Sequence, residues 1–485
     1  MRNQRGQILI QTLVLSALAV VFISVLVSLA NYNIVTSTQS SNSEQAFQIA
    51  ESGIEYYRWH LAHSPQDFQD GKGVPGPYYH DFLDKSGTRI GQFALTITAP
   101  PVGSTVVTIL ATATTTSGPG VVRKIQARLA IPSLAKYATL SNTNINFGVG
   151  ATAYGPVHSN GGVRFDGVAN NVVTSALTQY KDPSHQNYPN DPAEFGVHTH
   201  VSPIDPLPPN SVPNRSDVFK AGRQFPVPAV DFTGITANLA QIKADANTPN
   251  GRYFLPSGAL GYHIILKTNG TFDLRRVTSL VPPPNVPPSS NYCTNSQNQT
   301  GWGTWSIQNE TPIQNYAFPA NGLIFTEDNV WVDGQINNAR LTIAAGLFPD
   351  PPGPRKSITI NHNLTYTNYN GQDAIGLIAQ GDINVGMVSD DNLRIDAAVI
   401  AQNGRVGRYY YKGPSGQRCS PYHVRQTLTM YGMLATNQQS GFAYGDGTGY
   451  QTRTYTYDAN LLYAPPPSFP LTSNQYQTIS WQEVK

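Results

Sequence analysis

Hydrophobic and polar positions divide the chain into three textures. From Ile8 to Ala30 the residues are almost wholly apolar, interrupted by Gln11, Thr12, Ser16, Ser24 and Ser28, with no charge, Pro or Gly. As a helix, these ~23 residues rising ~1.5 Å each span roughly 35 Å, enough to cross a bilayer core. After a polar stretch, Phe47, Ala50, Ile54, Tyr57 and Leu61 recur at steps of three and four, with Glu44, Glu51 and Glu55 off that line. The spacing predicts an amphipathic stripe. No breaker separates the two patterns, so one long helix is expected over 7–62, apolar first and amphipathic second.

The second texture is alternation. Residues 64–89 are rich in Gly, Pro and Asp and read as a loop. Ile90–Thr98, Thr105–Thr114 and Val121–Ile131 each alternate apolar and polar residues, separated by Pro100-Pro101 and by Ser117-Gly118-Pro119-Gly120. An antiparallel meander over 63–132 is expected, giving the amphipathic stripe a sheet to pack on.

The third texture begins at Ala135. Short runs such as Ile145–Phe147, Ala151–Tyr154 and Val163–Phe165 are spaced by Gly and Asn, and similar runs return at Ala374–Ala379, Leu393–Ala401 and Leu428–Ala435. Their ends resemble one another: Ile378-Ala379-Gln380-Gly381, Ile400-Ala401-Gln402-Asn403-Gly404 and Leu434-Ala435-Thr436-Asn437. These quasi-repeats favour rungs of a β-solenoid over an ordinary sandwich. The body is expected over 133–444, with a polar, Pro-rich insertion at 174–320 and an aromatic-rich tail, 445–485, capping its end. The fold class is therefore α+β: a long N-terminal transmembrane and amphipathic helix, a small antiparallel sheet, then a large all-β domain.

Two stretches carry a family resemblance. Arg5-Gly6 followed by Gln7-Ile8-Leu9-Ile10 resembles a type IV prepilin leader, and Ala46-Phe47-Gln48-Ile49-Ala50-Glu51-Ser52-Gly53-Ile54-Glu55 is similar to the A-F-x-x-A-E-[AS]-G-[IV]-E stretch of minor pilins. The resemblance implies a leader over 1–6, cleavage after Gly6 by a prepilin peptidase, methylation of Gln7, and packing of the helix among other pilin subunits. Major pilins carry Glu where this chain has Gln11. An amide hydrogen-bonds but cannot form their ion pair, so Gln11 points to a minor subunit.

Charge adds orientation and exclusions. Arg2 and Arg5 precede the apolar run and no Lys or Arg follows until Arg58, which predicts a cytoplasmic N-terminus, a membrane span through 8–30 and a body outside. A cleaved secretory signal fits poorly, because the run is long and lacks a small-residue cleavage site. Charged residues make up 12% of the chain and no basic block exceeds two residues, so nucleic acid is not an expected partner. The two cysteines, Cys293 and Cys419, are too few for a thiolate zinc site; a disulfide and two free thiols both remain open.

Candidate chemistry is sparse. His198-Thr199-His200 has metal-like spacing, with Asp205 as a third ligand, but no second motif accompanies it and no metal or cofactor is assigned. Asp390-Asp391 with Arg394 and Asp396 resembles the paired carboxylates of β-helical polysaccharide-cleaving enzymes, the alternative function. Gly445-Asp446-Gly447-Thr448-Gly449 lacks the acidic spacing of a calcium loop, and Gly71-Lys72-Gly73-Val74-Pro75-Gly76 lacks the strand and helix of a dinucleotide site. No catalytic residue is assigned. The expected role is a minor pilin-like filament component displaying a β domain for adhesion to a surface or glycan ligand.

Overall fold

The computed structural model describes residues 4–101, 103–232, 234–284, 292–350, 355–414, 417–473 and 475–484. Residues 1–3 of the expected leader and 285–290 of a Pro-rich stretch lie outside them. The chain forms two compact units: Met1–Pro100, Val106–Ile131 and Asn474–Lys485 make the first, and Pro101–Thr105 with Pro132–Ser473 the second.

In the first unit, α1 (Gln4–His63) is one continuous helix of 60 residues. Residues 7–41 are exposed throughout. Beyond them Ala46 is buried, and Ile49, Ala50, Ile54, Tyr57 and Leu61 are buried against Phe93, Leu95, Ile109, Ala111, Ile125 and Ala127. The stripe differs from the expected one at its start. Ala46 and Ile49 hold the centre, whereas Phe47 lies at the margin, 5.7 Å from the Trp481 ring and under Arg123. Two glycines let helix and sheet approach: a Cβ on Gly53 would stand 2.9 Å from the Phe93 ring, and one on Gly91 only 2.4 Å from Ile49 Cδ1.

The sheet runs β1 (Tyr78–Leu83), β2 (Arg89–Thr98), β3 (Val107–Thr115), β4 (Val122–Ala130), and then the C-terminal strand Gln477–Val484, all antiparallel. The meander was expected; its two outer strands were not. β1 falls inside the expected loop; its burial alternates, but Tyr79 and Leu83 on the exposed side hide that alternation in the sequence. The tail does not end as a cap on the β body. Its last strand covers the edge of β4, whose backbone groups would otherwise be unpaired.

The second unit is built largely from series of parallel pairings. In one, Arg252–Phe254, Leu323–Thr326, Arg340–Ala345, Ala374–Ala379, the end of Asn392–Ala401 and the end of Val424–Thr436 follow in chain order. The series then continues with Thr139–Ser141, Val157–Ser159, Val173–Ser175 and Arg223–Gln224. The late segment thus pairs with the earliest one, Leu434 opposite Thr139, while the expected insertion carries the chain from one end of the series to the other. Ile324, Ile343, Leu377, Val399 and Leu434 stack in register into a central apolar column.

The recurring phrases do mark equivalent positions, with one slip. Ile378 pairs with Ile400 but Ile400 with Ala435, because Leu434 follows Val399 into the column and one residue of shift would turn it outward. The outward faces of Phe325, Ala344, Ile378 and Ile400 are also apolar, since α2 (Gly234–Ala246) packs there through Leu239, Ile242 and Ala246. That helix lies within residues read as polar insertion. Its i, i+3, i+7 spacing was the available signal. Cys293 and Cys419 form a disulfide, buried with Met387, Tyr409 and Tyr411.

Candidate functional site

The first candidate is the exposed half of α1. Leu9, Leu13, Leu18 and Phe22 are each 60% exposed or more, and no part of the described chain covers them. Three of its hydroxyls are satisfied within the helix: Thr12 donates to Ile8 O at 3.0 Å, Ser16 to Leu13 O at 2.9 Å and Ser24 to Val20 O at 2.7 Å. Such a surface suits hydrocarbon or other apolar helices, because these hydroxyls donate their hydrogen bonds to the helix's own carbonyls. By length and composition α1 can cross a membrane. Gly6 lies within this helix, and Gln7 and Gln11 are on its exposed surface.

The second candidate assembles around His198. The two-residue strands Gln179–Tyr180 and Glu194–Phe195 pair antiparallel, setting Tyr180 opposite Glu194. Val197–His198 then pairs in parallel with Val163–Phe165. Residues two apart on extended chain share a side, so His198 and His200 flank one carboxylate. Glu194 Oε1 lies 2.6 Å from His200 Nε2, and Oε2 lies 3.1 Å from His198 Nε2 and 3.4 Å from His185 Nε2. Asp182 Oδ2 stands 3.9 Å from His198 Nε2 and 3.8 Å from His185 Nε2. Ligand-type atoms of Asp182, Glu194, His198 and His200 all fall within 4.8 Å of one another.

Burial is deep here: His198 is 1% exposed, Asp182 4% and Glu194 6%. Burial alone would raise the Glu194 carboxyl, but the close His198 and His200 rings hold it well below the usual range. His198 Nδ1 is 3.3 Å from Phe195 O, which orients the ring with Nε2 inward. Asp205, the expected third ligand, is elsewhere. It accepts from Thr199 N at 3.1 Å and pairs with Arg223 and Arg215, so two guanidiniums engage it. Asp182, His185 and Glu194 were missed because no fixed spacing links them to the His pair.

The remaining candidates are held by local hydrogen bonds. Asp390 accepts from the His362 ring at 2.8 Å and Asp391 from Arg425 at 2.7 Å, so the adjacent carboxylates serve different partners. Asp396 is fully buried, bound by Tyr369 at 2.6 Å and Arg394 at 2.9 Å, with its pKa raised by burial. Asp446 is occupied by its own turn, through Thr448 N and Oγ1, and by Tyr410. In the loop at 71–76, Asp67 Oδ2 accepts from Gly71 N. A polar groove of about 770 Å³ in the second unit is lined by Asn146, Arg164, Asp166, Gln299, Arg405 and Arg453 among others.

No protein-family model matches the chain, and no curated protein matches it. Among solved structures, the competence-associated pilin ComZ from Thermus thermophilus aligns over 91% of this chain and 97% of its own, with 15% identity and a TM-score of 0.29.

Proposed function

We propose that the chain is a minor pilin-like component of a type IV pilus or related filament. The observation that carries this reading is the division of α1: an apolar half that the rest of the described chain leaves bare, continuing without a break into a half packed on an antiparallel sheet. In this reading the first half occupies the membrane, N-terminus inside, until a prepilin peptidase removes residues 1–6, and then packs among like helices of other subunits. Gln11 in place of an acid marks a minor subunit.

The body is read as a β-solenoid, a reading supported by its serial parallel pairings and central column. Displayed outside the cell at a filament tip, it would bind a surface or glycan without catalysis. The amides and guanidiniums of the polar groove are groups that hydrogen-bond sugar hydroxyls.

Co-expression with a prepilin peptidase and mass measurement of the product tests the assignment. The expected product lacks residues 1–6 and carries a methylated Gln7. An intact Met1, or cleavage beyond Ala30, would overturn it.

A further inference from the structure

We infer that Asp182, Glu194, His198 and His200 form a binding site for a divalent transition-metal ion of the zinc class, with His185 beside it. The inference is independent of any filament role. It rests on atoms that the fold buries and leaves unpaired. Among the described residues, Glu194 Oε2 and the Nε2 atoms of His198 and His185 have no hydrogen-bond partner. His198 Nε2 and Glu194 Oε2 are near enough to bond at 3.1 Å, yet their geometry is not that of a hydrogen bond. A buried polar atom without a partner is unfavourable, whereas lone pairs converging on one point are what a cation requires.

Charge leads to the same conclusion. Arg164 is the cation on this cluster: its Nε pairs with Asp166 at 2.7 Å and its NH1 reaches Asp182 Oδ2 at 3.4 Å. With Asp166 matched to Arg164, Asp182 and Glu194 remain as two buried carboxylates among three imidazoles. The His185 and His200 rings are 5.1 Å apart, as are those of His198 and His200. Asp191 adds further negative charge, 4.0 Å from His185 Nδ1. A dication balances Asp182 and Glu194 without protonating the rings. Imidazole nitrogen with carboxylate oxygen, and no thiolate, suits zinc and its neighbours better than the all-oxygen shells of calcium or magnesium.

The groups behind these ligands hold them in place. Phe195 O faces His198 Nδ1, and Ser184 N and Oγ bind Asp182 Oδ1 at 2.9 and 2.7 Å, leaving Oδ2 toward the cluster. Such contacts fix ring tautomer and carboxylate orientation in metal sites. Val197–His198 is the terminal strand of its three-stranded series. A bound ion would therefore clamp the loop 181–193 to a strand edge that no further strand covers among the described residues.

The test uses the full-length chain in detergent micelles, stripped with EDTA and dialysed against zinc chloride. About one equivalent of zinc is expected, and X-ray absorption should give a nitrogen and oxygen shell at ~2.0–2.1 Å, without sulfur, bearing imidazole outer-shell scattering. Because loss of a contact that merely orients a ligand weakens such sites by about 10–100-fold, H198Q and E194Q should each weaken binding by more than about 100-fold. His362→Gln, at an exposed ring, should leave it unchanged. Zinc should also slow tryptic cleavage after the exposed Lys181, next to Asp182, in the wild-type chain, a readout that needs no variant. Wild-type protein that retains no zinc, a shell lacking imidazole, or equal binding by folded H198Q and E194Q would overturn the inference.

Discussion

The two halves of α1 are built from the same backbone and end differently. Residues 46–61 bury Ile49, Ile54, Tyr57 and Leu61 on a sheet supplied by the same chain. Residues 8–30 carry more apolar surface and bury none of it. The difference lies in pattern rather than hydrophobicity. A stripe with acids behind it needs one apolar neighbour, whereas a helix apolar all round needs apolar surroundings on every side. A single sheet can supply the first requirement and not the second.

Four changes bear on that contrast, from the largest effect to the smallest. Lys at both Leu18 and Val21 should cost about 2.5–3.5 kcal/mol each in membrane insertion. Carbonate extraction should then release the protein, while denaturant unfolding of the first unit stays unchanged. Tyr57→Ala should do the reverse. It empties a fully buried position, so a loss of roughly 3–5 kcal/mol in unfolding free energy is expected with membrane retention intact. If either variant moved both readouts, the two halves would not be independent.

Gly91→Ala comes next. Its Cβ would meet both Ile49 Cδ1 at 2.4 Å and Thr114 O at 2.5 Å, so about 1–3 kcal/mol of overpacking is expected. Ile49→Val should relieve part of it, because one of the two clashes is with a side-chain tip. A Gly91→Ala chain as stable as the wild type would argue against so close an approach of helix and sheet.

The smallest effect is a pH dependence of the body. His263, on the strand Gly261–Leu266, lies between Glu310 at 2.7 Å and Asp333 at 2.9 Å. Burial works against its charge, but the two carboxylates outweigh it and hold its pKa at about 9. The folded state therefore keeps a proton that the unfolded chain releases above about pH 6.5. This stabilisation is complete below that pH and is lost as pH rises through about 9, with a slope of at most ~1.4 kcal/mol per pH unit. In H263Q the slope should flatten, with membrane retention unaffected. A wild-type unfolding free energy that is level across this window would contradict the pairing.

How much of this was legible in the chain depends on the range of each interaction. The helix, its change of character near residue 40 and the three alternating strands follow from periodicities of a few residues. Rung positions were legible to within one residue, since Ile378-Ala379 and Ile400-Ala401 repeat a local phrase and Leu434-Ala435 is offset by one. α2 was lost in a segment dominated by Pro and polar residues. The candidate metal site was half visible: the His198 and His200 pair has a spacing, whereas Asp182 and Glu194 reach it only through the pairing of two-residue strands.

Local pattern thus determined which segments become helix or strand and which faces are apolar, because side-chain direction repeats every 3.6 or 2 residues whatever the rest of the chain does. Tertiary structure decided the partners. Backbone N–H and C=O groups are alike along every strand, so nothing local distinguishes Leu434–Thr436 as the neighbour of Thr139–Ser141, or the last strand as the neighbour of β4. Those pairings follow from which edges remain open once everything else has packed. They also bring two distant carboxylates to a pair of histidines that the chain alone leaves without ligands.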